Sequence, residues 1–109
     1  MRQEAFIARS PYYYKFLALT KKRGQALCLA YLYEEAKETG KQLIEASVTE
    51  IDQATGYSTT CVLTSFAPYL SGKGRFLPIQ MEKRGTQGGK IATTWRVDLE
   101  AMRKRIGDN

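Results

Sequence analysis

The sequence predicts an α+β domain with helices through its first two thirds, a β-hairpin after them and a short closing helix. Three observations lead there. Residues 20–70 carry helical spacing punctuated by Gly40 and Gly56, each ending an apolar-periodic run. Residues 76–83 and 90–98 alternate apolar and polar with period two on either side of a glycine-rich loop. A length of 109 residues suits one core and little more, so residues 1–109 form a single domain. Within it we expect an N-terminal arm or helix (1–19), a helical core (20–70), the hairpin (76–98) and a last helix (99–107).

Residues 1–9 offer Ala5, Phe6, Ile7 and Ala8 as their apolar content and read as an arm, a short strand or a frayed turn. Ser10-Pro11 then looks like an N-cap with proline at the first helical position, where a missing N–H is harmless. Tyr12, Tyr13, Tyr14, Phe16, Leu17 and Leu19 follow, beside Lys15 and residues 21–23. Aromatic packing or a subunit contact suits them better than base stacking, because a duplex offers no splayed base. Residues 20–40 hold the longest helix, with Gly24 either inside it or separating it from the segment before. Ala26 to Tyr33 are apolar all round, which asks for more cover than so small a domain supplies. That predicts a homodimer with Tyr12, Tyr13, Phe16, Leu29 and Tyr33 in its interface.

Residues 41–45 suggest a brief strand around Leu43 and Ile44. Ser47 is a natural N-cap, and Glu50 three residues on completes a capping box ahead of Val48, Ile51 and Ala54. Gly56 supplies the left-handed residue that ends this helix, and Ser58 caps the next, residues 59–67. Val62, Phe66 and Tyr69 share one face of that second helix; Thr59, Thr60, Leu63, Thr64 and Ala67 share the other. Two helices meeting at a glycine turn, the second with one apolar and one hydroxyl-rich stripe, make the helix-turn-helix pattern over residues 47–69. Pro68 should kink or end the second helix near Ala67. In the hairpin, Leu77, Ile79 and Met81 face one way in the first strand, which Pro78 should bulge. Ile91, Thr93, Trp95 and Val97 do the same in the second, and Leu99, Met102 and Ile106 align on the closing helix.

Helix, strand, helix, glycine turn, helix and basic-tipped hairpin is an order that resembles the winged helix superfamily. Residues 48–62, VTEIDQATGYSTTCV, are similar to that superfamily's V-x-E-L-A-x-x-T-G-h-S-x-x-T-V signature through Val48, Glu50, Ile51, Ala54, Thr55, Gly56, Ser58 and Val62. Asp52 and Cys61 depart from it, and Thr59 and Thr60 stand where basic residues are common. The lead-in from residue 8 also looks like the N-terminal winged helices of plasmid and phage replication-associated proteins. The resemblance implies that residues 57–67 enter a major groove, with Tyr57, Ser58, Thr59, Thr60, Leu63 and Thr64 at base edges or phosphates. It implies a wing at residues 83–90, with Lys73, Arg75, Lys83, Arg84 and Lys90 gripping the backbone.

Charge agrees with a polyanionic partner. The chain has 17 basic and 11 acidic residues, a net charge of +6, and a pI near 9.4. The surplus is segregated: residues 1–33 and 53–97 are positive, residues 34–52 negative, and residues 98–109 balanced. No arginine lies on the face of Thr60 and Thr64, so bidentate guanine readout is not expected there, and affinity should rest on phosphates. Histidine is absent and the two cysteines, Cys28 and Cys61, form no CxxC pair, so neither metal nor cofactor is expected. Residues 72–75, GKGR, lack the spacing of a phosphate-binding loop, and no nucleophile elbow occurs, so an enzyme is not expected. No apolar run reaches membrane-spanning length and residues 1–10 lack a signal-peptide core, which suggests a cytoplasmic, nucleoid-associated protein. The expected function is that of a double-stranded-DNA-binding homodimeric transcriptional regulator. The alternatives are a plasmid or phage replication or partition accessory protein, and a winged helix serving as a protein-interaction module through its acidic residues 34–52.

Overall fold

The computed structural model describes residues 2–66, 70, 79–83 and 92–108. Among them are six helices and one three-stranded antiparallel sheet, an α+β arrangement. The chain runs α1 (Arg2–Arg9), α2 (Tyr13–Thr20), α3 (Arg23–Thr39), β1 (Leu43–Glu45), α4 (Val48–Thr55), α5 (Thr59–Cys61, continued by a π-helical turn over Val62–Phe66), β2 (Ile79–Lys83), β3 (Thr94–Val97) and α6 (Leu99–Ile106). No helix among the described residues is long and apolar enough to cross a membrane.

The N-terminal segment is a helix, neither an arm nor a strand. Glu4 in its first turn and Arg9 in its last complement the helix dipole, and Phe6 anchors it in the core at 1% exposure. Its apolar residues, Ala5 to Ala8, are contiguous in sequence and so do not by themselves distinguish a helix from an arm, a strand or a turn. The next helix starts later than the Ser10-Pro11 pair suggests. Tyr13 opens α2, and the Ser10 hydroxyl instead accepts a bond from the Tyr12 amide and donates one to the Glu34 carboxylate on α3.

Helix α3 is the centre of the molecule. Ala26, Leu27, Cys28, Leu29, Ala30, Leu32, Tyr33 and Ala36 are all buried, because α1, α2, α4, the π turn, β1, β3 and α6 surround it. Each large apolar side chain so covered contributes about 1.5–3 kcal/mol. The expectation that a helix apolar on all sides needs a second subunit is therefore corrected. Tyr13, Phe16, Leu29 and Tyr33, assigned to a dimer interface from sequence, lie in this chain's own core at 3%, 0%, 0% and 0% exposure. Tyr12, the fifth, is half-buried with its ring edge-on to Tyr33 at 5.0 Å.

The sheet has the order β1–β3–β2, with Trp95 of β3 opposite Ile44 on one side and Met81 on the other. The predicted alternation holds: Thr93, Trp95 and Val97 are buried while Thr94 and Arg96 are half-exposed. The register slips between Met81 and Lys83; Pro78, where a bulge was expected, lies outside the described residues. The Trp95 indole donates to the Ala46 carbonyl at 2.9 Å and so ties the hairpin to the lead-in of α4. At the C-terminal end, Asp98 caps α6 through the Ala101 amide, Met102 is buried, and Gly107 closes the helix in the left-handed conformation.

Candidate nucleic-acid interface

Both helix starts in residues 47–66 are capped as their sequence predicts. The Glu50 amide donates to the Ser47 hydroxyl at 3.0 Å while the Glu50 carboxylate accepts from the Ser47 amide, completing the capping box. Ser58 accepts from the Cys61 amide at 3.2 Å and starts α5. Between them Gly56 has φ +80°, and a Cβ there would stand 2.7 Å from the Gln3 backbone nitrogen. Glycine is required twice over, by backbone conformation and by the close approach of α1. The Gln3 side-chain amide donates to the Gly56 carbonyl, so α1 supports the turn directly.

The face of α5 and its π turn divides as the sequence spacing indicates. Val62 and Phe66 are buried, the Phe66 ring lying 5.6 Å from that of Trp95. Thr60 and Thr64 are exposed and Leu63 is half-exposed. Helical geometry widens at Val62, well before the kink expected near Ala67. The Thr64 hydroxyl donates to the Thr60 carbonyl at 2.8 Å, and such back-bonding competes with the regular backbone ladder. Ala67, Pro68 and Tyr69 lie outside the described residues.

Two of the residues assigned to DNA from sequence are committed within the fold. Thr59 donates both its amide and its hydroxyl to the Asp52 carboxylate, at 3.2 and 3.1 Å. The Tyr57 ring lies against Gly24 of α3, where an added Cβ would come within 2.2 Å of Cζ. Burial pushes the Tyr57 hydroxyl above its ordinary pKa, an effect opposed by its hydrogen bond with Ser65. Ser58 is exposed, but its oxygen serves as the cap. Thr60, Leu63 and Thr64 are the members of the set that remain presented outward.

Asp52, which in the sequence is only a departure from the winged helix signature, organises this junction by accepting both bonds from Thr59. It also meets Arg2 at 3.5 Å, so one carboxylate links α1, α4 and the start of α5. The available signal was the need of an α5 N-terminus for acceptors beyond Ser58. Of the expected backbone-gripping residues, Lys73, Arg75, Arg84 and Lys90 lie outside the described residues. Lys83 ends β2 opposite Thr94. Cys28 is a buried packing residue whose thiol is pushed up by burial and, secondarily, by Cys61. Comparison with models of known families, with curated proteins and with solved structures finds no match for this chain.

Proposed function

We propose that the chain binds double-stranded DNA in the manner of a winged helix, reading its site with the helix that begins at Ser58 and gripping the backbone with the basic residues of the hairpin region. The observation that carries this reading is the outward strip of Thr60, Leu63 and Thr64. It stands on a helix seated through Val62 and Phe66 and held at a capped glycine turn. The order α3–β1–α4–α5–β2–β3 and the strand order β1–β3–β2 support it, as does the net charge of +6.

In this reading Thr60 presents a hydroxyl able to donate or accept, while the Thr64 hydroxyl, donating to Thr60, accepts from a base amino group. Leu63 meets a thymine methyl. Lys73, Arg75, Lys83, Arg84 and Lys90 neutralise phosphates and supply most of the affinity.

Selection of bound sequences from a random duplex pool tests this. An enriched motif is expected, and Thr60→Val with Thr64→Val should change that motif while leaving affinity for random duplex unaltered. A uniform loss would make the threonines phosphate ligands. An inverted repeat would indicate a homodimeric regulator, and tandem direct repeats a replication or partition accessory protein. Failure to retain any duplex would reject DNA binding. That result would favour an interaction module, a reading supported by the open groove of about 370 Å³ between α3 and β1. Glu35, Thr39, Leu43 and Glu45 help to line it, and Leu43 is 45% exposed.

A further inference from the structure

Among the described residues, four helices end in a left-handed residue, and three of those residues are glycine: Gly40, Gly56 and Gly107, with φ of 71°, 80° and 69°. The fourth is Lys21, at φ 58°, which closes α2 through its amide to the Leu17 carbonyl. A side chain in this conformation is strained, and glycine is the residue helix ends favour there. Strain kept in place directs attention to what the side chain does.

The surroundings of Lys21 supply an answer. Lys22 follows it and both are exposed. Neither ammonium group is engaged in a hydrogen bond or ion pair among the described residues. The nearby arginines are different: Arg23 sits 3.5 Å from Glu4, and Arg2 sits 3.5 Å from Asp52. Among the described residues, Lys21 and Lys22 thus carry positive charge with no acid at contact distance. They lie two and three residues before Gly24, which packs against Tyr57, the residue immediately preceding the Ser58 cap of α5. At about 3.8 Å per residue, the Lys21 Cα lies within roughly 11 Å of that of Gly24. Gly24 is where the Tyr57 ring packs, and in the DNA-binding reading the phosphates lining a major groove about 12 Å across would pass the N-terminal end of α5.

We propose that Lys21 and Lys22 form a second phosphate-gripping site for duplex DNA, beside the N-terminal end of the candidate recognition helix. This rests on the DNA-binding reading above. Lys21 keeps a charge at a backbone position that would be more stable as glycine, and the strain is tolerated because the charge binds backbone phosphate. The site adds affinity without sequence preference, complementing a recognition face that has no arginine.

The two properties of Lys21 separate in one experiment, using the full chain and a random-sequence duplex titrated across about 50–200 mM salt. Lys21→Gly should raise the melting temperature by roughly 2–5 °C. It should also lower the slope of log affinity against log salt by about 0.9, and Lys21→Gly with Lys22→Gln by about twice that. Lys41→Gln, beyond the far end of the 17-residue α3, about 25 Å away, should leave the slope as it was. An unchanged slope in the double variant, or an equal fall in Lys41→Gln, would overturn the proposal while leaving DNA binding intact. A lower melting temperature for Lys21→Gly would remove its conformational basis. Tighter binding to single strands than to duplex would overturn it in favour of another polyanion. If the unaltered chain binds no duplex, the DNA-binding reading itself fails and this site fails with it.

Discussion

Tyr57 and Gly24 meet because a helix residue without a side chain leaves room for a ring to lie on the backbone. Two effects compete when that room is filled. Alanine is a better helix former than glycine by about 1 kcal/mol, whereas forcing a methyl to within 2.2 Å of the ring is overpacking, which costs about 1–3 kcal/mol. Overlap this severe should win, so Gly24→Ala is expected to destabilise the chain by about 1 kcal/mol or more in chemical denaturation. With Tyr57→Ala already present, the same substitution should gain up to about 1 kcal/mol. A loss of equal size in both backgrounds would show that the ring is not what Gly24 accommodates.

At the scale of the element, the junction of α4 and α5 depends on a carboxylate outside the two helix-cap serines. Asp52 belongs to α4, accepts two bonds from Thr59 of α5 and pairs with Arg2 of α1. The cap bond is the larger contribution, since an ion pair with an exposed arginine is worth little. Asp52→Ala should cost about 1–2 kcal/mol of stability, and Asp52→Asn less, because an amide oxygen still accepts from the Thr59 amide. Equal losses in the two variants would instead assign the stabilisation to charge. The same junction seats α1 on the fold: Gln3, Arg2 and Phe6 each find a partner on the body of the domain.

Across the whole molecule, α3 carries the core and the chain's C-terminal end is tied back to it. Asp108 accepts from the Tyr33 hydroxyl at 2.7 Å and from the Lys37 ammonium at 2.9 Å. Lys37 and then Tyr33 hold its carboxyl below the ordinary range, while the Tyr12 hydroxyl and then Asp108 hold Lys37 above its own. A depressed carboxyl stabilises the fold above its unfolded pKa, about 3.9, and that contribution disappears as pH falls through the lower folded value. Asp108→Asn should therefore lower stability at neutral pH by about 1 kcal/mol, with the gap to the unaltered chain narrowing below about pH 4. A gap that is constant with pH would mean the hydrogen bond alone matters. Glu34 has the opposite sign. Burial raises its carboxyl, against the bond from Ser10, so its ionised form opposes folding once pH exceeds the unfolded value. Glu34→Gln should accordingly melt no lower than the unaltered chain at neutral pH.

The local chemistry of the helix-turn-helix and the strands was legible in the sequence. The Ser47–Glu50 box, the Ser58 cap, the stops at Gly40 and Gly56 and the period-two strands depend on neighbours a few residues apart, so the order of residues states them. The α+β class and the outward position of Thr60 and Thr64 followed from those same short-range patterns. What surrounds α3 was not legible. Eight consecutive apolar residues report that a helix is covered on every side without saying by what, and only the tertiary structure assigns that cover to elements of the same chain. The commitments of Tyr57 to Gly24, Thr59 to Asp52 and Phe6 to the core were hidden for the same reason. Each joins residues distant in sequence or set by packing direction, and such contacts exist only once the chain has closed on itself.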